Sequence, residues 1–472
     1  MKKNFLFFFF LIQISVFSVE IMNLDEIMPN MDGYGYTVFE NKFIEKFNVK
    51  LLKIVKGKGT IPYYILAKVY GDNIYKAGGI IEGMSGAPIY VNKKLVGALS
   101  YTLNSINNDI GIITPIKYML SLGEGNSNKD SEYVRPGTAI SITPFRGDIY
   151  MDNIGTLTYV KNGEFYALGH SFQNLGDIKY FLNKAVIEYS LNAKSNPFKT
   201  GYSTETIGSV LEDKSSGIYG VLTDNIETYK FNLNINGKKC KFEMPKDKVT
   251  LNKFLSKGIE LALNSKLDNI GFYTLTYKYD ILKKDKKIAS KENIYTFDNN
   301  FFENSGMIIG SEILNEVDNQ YKFLDFDRVN ININADKNIK IIYINDFTLD
   351  KEIYKLGDTA ILSLKYHIYQ GKDLKKNIPI LIPSDFQVGS FVIEISPLNS
   401  QGNDTEQTGN NNQNSNNGLN NILKIEIKDG DSKSIFSKKI KFSYKIDLEN
   451  NLTKNIVIDS FEANSNSSEE KN

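Results

Sequence analysis

From Tyr36 to Leu222 the chain is a succession of short runs of β-branched and aromatic residues, each bounded by Gly, Asn or Lys. Such punctuation points to antiparallel β-structure. Tyr36–Phe39, Leu51–Val55, Tyr63–Val69 and Lys94–Tyr101 read as strands, and Ile89–Val91 with Leu95–Ala98 flank Asn92-Lys93-Lys94 as in a hairpin. A short helix is expected over Pro115–Leu122, with Pro115 in its first turn, and Gly123–Asp130 reads as a linker. A second β-rich unit follows over about 133–245, carried by Gly155–Tyr159, Glu164–Ala167 and Ile218–Leu222. Asp247–Leu267 reads as a helix capped by Asp247, residues 270–345 as a mixed region, and Ile353–Ile382 as alternating, half-buried strands.

Composition narrows the function classes. Lys+Arg minus Asp+Glu is 56 − 55 = +1, without the charge excess of a nucleic-acid binder or an electrostatically held membrane protein. One cysteine excludes an internal disulfide framework, and two histidines exclude most His-rich metal sites, so neither metal nor cofactor is expected. At the start, Met1-Lys2-Lys3 precedes an apolar run from Phe5 to Phe17, with small Val16 and Ser18 at the cleavage positions. Residues 1–18 therefore read as a signal peptide, and the mature protein as exported: periplasmic, cell-surface or secreted. The Asn/Gln/Gly-rich stretch 399–421 and the polar tail 461–472 hold too few apolar residues to order themselves and are expected to be disordered.

The sharpest local pattern is Gly83-Met84-Ser85-Gly86-Ala87-Pro88. A serine hydroxyl needs a base and backbone N–H groups turned toward the developing oxyanion. Glycines on both sides of Ser85 permit that turn, with the N–H groups of Gly83 and Ser85 as the expected oxyanion hole. An α/β-hydrolase elbow fits less well, because Ala87-Pro88 and a strand follow where a glycine and a helix belong. A plain glycine-rich turn carrying a solvated serine is the simpler alternative. The second constellation is Ala167-Leu168-Gly169-His170-Ser171-Phe172. His367 lies inside an expected C-terminal strand, so His170 is the partner open to Ser85, unless it is merely a structural histidine at a strand end.

Taken together these segments resemble the S55 peptidases, the family of the stage IV sporulation protein B peptidase. Gly83–Pro88 resembles that family's nucleophile motif, and Thr156–His170 its histidine segment. Gly33–Phe39, Gly78–Ile81, Gly111–Pro115, Phe198–Gly201 and Ile207–Gly220 extend the likeness over roughly 30–245. The resemblance implies a trypsin-like double β-barrel in which Ser85 is the nucleophile and His170 the base. It departs from the sporulation peptidase in two ways: the serine segment precedes the histidine segment, as in a permuted subgroup, and no PDZ domain stands before the catalytic part. The third member stays open. Asp213 is the first choice for holding the imidazole, with Asp72, Asp148 and Asp177 as alternatives and a Ser–His dyad as another.

The whole chain is thus expected to be mainly β, a double barrel followed by a mixed region and a C-terminal immunoglobulin-like sandwich. Its expected divisions are the signal peptide 1–18, a first barrel half 19–125, a second 126–245, a connecting region 246–345, the sandwich 346–460 and the tail 461–472. The expected function is an exported serine endopeptidase acting on protein or peptide, able to process itself, with no nucleic-acid partner. The sandwich would bind or position an envelope protein. The competing expectation is an inactive S55-like scaffold or interaction module in the envelope. Arg146-Gly147-Asp148 reads as a structural turn, and Cys240 as a strand residue.

Overall fold

The structure is a computed structural model. It describes residues 19–103, 107–123, 134–193, 196–268, 273–297, 301–337, 341–351, 353–355, 357–368, 370–382, 391–397, 419–420, 422–429, 443–447 and 453–456. The expected signal peptide and tail lie outside the described residues, as do nearly all of the expected linker and of the stretch 399–421.

The fold is mainly β, and its first part is a trypsin-like pair of six-stranded barrels. The first contains β1 (Asp32–Val38), β2 (Ile44–Lys56), β3 (Tyr63–Tyr70), helix α1 (Asp72–Ala77), β4 (Ala87–Val91), β5 (Lys94–Thr102), β6 (Ile110–Pro115) and helix α2 (Ile116–Met119). Its strands close in the order β1-β2-β3-β6-β5-β4, which removes exposed edges. Alternating residues turn inward, so Phe47, Val49, Leu51, Ile65, Ala67, Val69, Ile89 and Ile113 share one core with Met84. Asn92 (φ 48°) and Lys93 (φ 66°) make the two-residue left-handed turn between β4 and β5, the geometry whose twist suits a hairpin. Pro115 precedes α2 as its cap instead of standing in its first turn.

The second barrel contains β7 (Ala139–Thr143), the short β8 (Arg146–Gly147) outside the ring, β9 (Asn153–Lys161), β10 (Glu164–Ala167), β11 (Gly176–Leu191), β12 (Phe198–Lys214) and β13 (Gly217–Leu222). The ring order is β10-β13-β12-β11-β7-β9. β14 (Thr228–Ile235), β15 (Lys238–Pro245) and α3 (Lys248–Lys266) follow. Arg146 and Gly147 pair with Glu243 and Phe242 of β15, and the Arg146 Nε donates to Glu243 at 2.6 Å, so this tripeptide begins in a sheet. Asp247 caps α3 by accepting the Thr250 N–H at 2.8 Å.

By contact density the chain divides into one compact unit of residues 1–230 with 242–258, holding both barrels, and another of 231–241 with 259–472. In the latter, β16 (Tyr273–Lys283) lies between β17 (Lys286–Phe297) and β18 (Arg328–Asp336). Helix α4 (Phe301–Val317) brings buried Glu312 to the Tyr277 hydroxyl (2.7 Å) and the Asn293 amide (2.8 Å). β19 (Ile341–Leu349), β20 (Thr359–Ile368), β21 (Asp373–Leu381), β22 (Phe391–Pro397), β23 (Leu419–Asn420), β24 (Ile422–Asp429), β25 (Ser443–Asp447) and β26 (Thr453–Ile456) complete it. They form two four-stranded sheets, β21-β20-β19-β23 and β22-β24-β25-β26, where a sandwich is expected. His367 lies in β20 with Nδ1 3.0 Å from Asp373.

Candidate active site

The turn that carries Ser85 is stitched into both barrels. Met84 is fully buried in the first barrel, the Gly86 N–H donates to Leu99 of β5 (2.8 Å), and the Ala87 N–H donates to Met84 (2.9 Å). From the second barrel, β9 reaches across. Thr156 N–H donates to the Ser85 carbonyl (2.8 Å), Thr156 Oγ1 to the Gly83 carbonyl (3.0 Å) and Thr158 Oγ1 to the Gly86 carbonyl (2.8 Å). Gly83 (φ 95°) and Gly86 (φ 94°) both occupy left-handed backbone, where a Cβ is unfavourable. Among the described residues the N–H groups of Gly83 and Ser85 have no acceptor, although the N–H groups of Glu82, Met84, Gly86 and Ala87 around them are all paired.

His170 arrives by a different device. Behind β10 the Gly169 N–H donates back to Ala167 at 2.8 Å, closing a three-residue turn with Leu168 at φ 64°. That left-handed form is rare for a branched residue and stores strain. Buried Leu168 fills the space that a side chain on Gly155 would need. Gly169 then sits on the first barrel: its carbonyl accepts the Thr114 hydroxyl at 2.6 Å, and Thr114 accepts the Ser100 hydroxyl at 2.8 Å.

Serine and histidine segments therefore meet at one step of β5. Between Leu99 and Tyr101 the β5–β6 register slips, leaving Ser100 as an extra residue in the ladder. The Ser85 hydroxyl donates to the Ser100 carbonyl at 3.3 Å, and the His170 ring lies 5.3 Å from the Tyr101 ring, centroid to centroid. No hydrogen bond joins Ser85 to His170 directly. Nδ1 of His170 is 2.7 Å from the Ser171 carbonyl. A carbonyl only accepts, so Nδ1 bears the proton and Nε2 is left with a lone pair. Burial lowers the His170 pKa, and the Ser171 carbonyl and the Asp213 charge offset this in part.

Asp213, the first-choice carboxylate, lies close enough to act on His170 through its charge but does not hydrogen-bond the imidazole. Its oxygens accept the Phe172 and Gln173 N–H groups, each at 2.7 Å, so it fastens the segment that follows His170. Nδ1 finds the Ser171 carbonyl at the place where Asp213 is expected. Burial raises the Asp213 pKa against the pull of those N–H groups. Asp72 opens α1, and Asp177 is paired with Lys214 at 3.1 Å. Asp148 follows β8. Replacing Asp213 by Asn turns two amide hydrogens toward backbone N–H groups and should lower stability by about 2–3 kcal/mol. Losing its charge also lowers the His170 pKa further, so an NMR titration of the His170 ring should show its midpoint at lower pH.

Thr156, Thr158, Ser100 and Lys199 also shape the site, and sequence reasoning passed over them. The first two fall within the histidine segment, where alternate threonines on one strand face are a weak cue. Lys199 falls within the S55-like segment Phe198–Gly201, but a lysine there gives no cue to burial, since lysines are ordinarily solvated. Among the described residues no cluster of three His, Cys, Asp or Glu side chains is suited to hold a metal.

In a comparison with known families, residues 18–120 fit the family model described as SpoIVB peptidase S55. The matched stretch contains the first barrel and Ser85 and stops before His170. No curated protein and no solved structure matches the chain significantly.

Proposed function

We propose, starting from the S55 peptidase domain that residues 18–120 carry, that this chain is an exported serine endopeptidase hydrolysing protein or peptide substrates through an acyl-enzyme on Ser85. The observation that carries the reading is the pair of unsatisfied N–H groups, Gly83 and Ser85, on the very turn that presents the serine. Buried or half-buried donors without acceptors are rare unless something else is meant to occupy them. A tetrahedral oxyanion is such an occupant.

In the proposed reaction the Ser85 hydroxyl turns from Ser100 toward His170, since catalytic hydrogen bonds in unliganded sites are often unmade. Nε2 of His170 takes its proton as Oγ attacks the carbonyl carbon. The Nδ1–H···O=C bond to Ser171 keeps the ring in the tautomer this needs. The imidazolium then protonates the leaving amine, and water repeats the sequence to release the acid. Asp213 acts at one remove, by holding residues 172–173 and by favouring the imidazolium. Cleavage of its own chain and routing by residues 1–18 belong to the same proposal. Among the described residues no helix is long and apolar enough to cross a membrane.

The resting bond from Ser85 to Ser100 favours a second reading, an S55-like scaffold without activity. A fluorophosphonate probe separates the two. The mature protein should be labelled once, at Ser85, and Ser85→Ala should not be labelled. Absence of labelling in folded wild-type protein would leave the scaffold.

A further inference from the structure

We propose that Lys199, at the start of β12 in the second barrel, is the positioning residue of the oxyanion hole, clamping the two peptide groups on either side of the Gly83 α-carbon. This rests on the serine peptidase reading of the same turn. In a trans peptide the N–H and C=O point in opposite directions, so whatever holds the carbonyl aims the N–H. The Glu82 carbonyl accepts the Lys199 main-chain N–H at 3.1 Å, while Glu82 N–H donates to Pro197 at 2.8 Å. That peptide is therefore fixed with the Gly83 N–H on its far side. The next carbonyl, Gly83, accepts the Lys199 ammonium at 3.2 Å. The Met84 carbonyl accepts Ala87 N–H at 2.9 Å, which turns the Ser85 N–H away from it. The two open donors are thus aimed by bonds on their opposite ends; Lys199 supplies the one behind Gly83 through its main chain, and its ammonium holds the intervening Gly83–Met84 peptide, which sets how the two donors lie relative to each other.

The side chain is in an unusual place for a cation. It is 6% exposed, and its ammonium also donates to Thr37 Oγ1 at 2.7 Å. It meets Thr37 of β1, the Phe39 ring just after β1 at 5.9 Å, and Gly83 of the turn. Thr156 of β9 lies behind these, 3.1 Å from Thr37. Among the described residues no carboxylate pairs with it. Glu82 and Asp152 line the adjoining cleft, where Asp152 is engaged by the Ser141 hydroxyl (2.7 Å) and the Ser203 N–H (3.1 Å). Burial lowers the Lys199 pKa to about 7. A lysine kept only for stability is poorly suited to this position, because removing it orphans nothing. Gly83 keeps its bond from Thr156 Oγ1, and Thr37 keeps Thr156 as a partner.

The sign of the linkage follows. With a folded pKa near 7 against 10.5 for an ordinary lysine, the unfolded chain binds more protons between those values. Wild-type stability from this group rises with pH from about 7 to about 10.5 and is at its lowest below 7. Lys199→Met should remove that slope and melt several degrees higher than wild type at pH 6. Its fluorophosphonate reaction should nevertheless slow. The maximal inactivation rate should fall about tenfold, less than the 10²–10³-fold that removing an oxyanion donor outright costs because Thr156 Oγ1 still holds the Gly83 carbonyl, with the half-saturating probe concentration unchanged. In wild type this rate should decline as pH rises through about 7, and in the variant that decline should vanish.

A readout independent of activity separates this proposal from the peptidase reading. In protein labelled with ¹⁵N-glycine and ¹⁵N-serine, the Gly83 and Ser85 amide resonances should titrate with a midpoint near 7 and stay flat in Lys199→Met. If they do so while Ser85 is unreactive, the clamp stands and the peptidase reading falls. If Ser85 reacts but the variant keeps its rate within threefold, or melts lower with the lost rate, the clamp is overturned. Should the variant fail to fold, the wild-type titration decides, and flat Gly83 and Ser85 resonances overturn it.

Discussion

Replacing His170 by Ala is expected to slow Ser85 acylation by about 10⁵–10⁶-fold, the largest kinetic effect of any single change outside the nucleophile itself. A neutral serine hydroxyl is a weak nucleophile, and the only other histidine, His367, is held in β20 next to Asp373. The wild-type pH profile should carry the same signature. Only the neutral imidazole accepts a proton, so the rate falls as pH drops through the folded pKa of His170. Burial is the largest influence and places that pKa below the ordinary 6.5, so the acid limb should lie below pH 6.5. Rates of fluorophosphonate labelling across pH, wild type against His170→Ala, check both points. A limb above 6.5, or a variant that labels at more than a hundredth of the wild-type rate, would remove His170 as the base.

Gly86→Ala is expected to cost more stability than any other single methyl added near the site, above about 4 kcal/mol. The backbone there is at φ 94°, which costs a residue with a Cβ about 1–2 kcal/mol. The added carbon would also run into the Thr156 carbonyl and come within 2.6 Å of the Leu168 nitrogen. Both obstacles are main-chain atoms of the second barrel, so no rotamer change relieves them. Relief requires moving β9 away from the turn, which breaks the Thr156 and Thr158 bonds to Ser85, Gly83 and Gly86 together. Thermal denaturation should show a drop of well over 10 °C or no folded protein. A variant that melts within a few degrees of wild type would mean the two barrels are not locked at this point.

Much of this was legible in the chain as written. Strand runs such as Tyr63–Val69 and the β4–β5 hairpin depend on neighbours a few positions apart, so local pattern identified them. The glycines beside Ser85 likewise announced the turn, because only glycine enters left-handed backbone without penalty. The β11–β12 hairpin was not legible, although it is the longest among the described residues. Its register slips between Asp177 and Tyr180, at Asn183 and again near Tyr189, and each slip breaks the two-residue alternation by which a strand is read.

Ser85 and His170 were each visible from sequence as motif residues. Tertiary structure alone decided what surrounds them. Asp213 stood out as an acid downstream of the histidine, yet its oxygens are taken by the Phe172 and Gln173 N–H groups, a choice made by where β12 passes. The imidazole proton goes to Ser171, a main-chain carbonyl with no letter in a sequence. Lys199 lies far along the chain from Gly83 and comes to it only because a second barrel closes against the first. Local preference is set by neighbours along the chain, and so a sequence declares it. Which hydrogen bonds a buried group finds is set by whichever strands cross it in space, and only the folded chain contains that information.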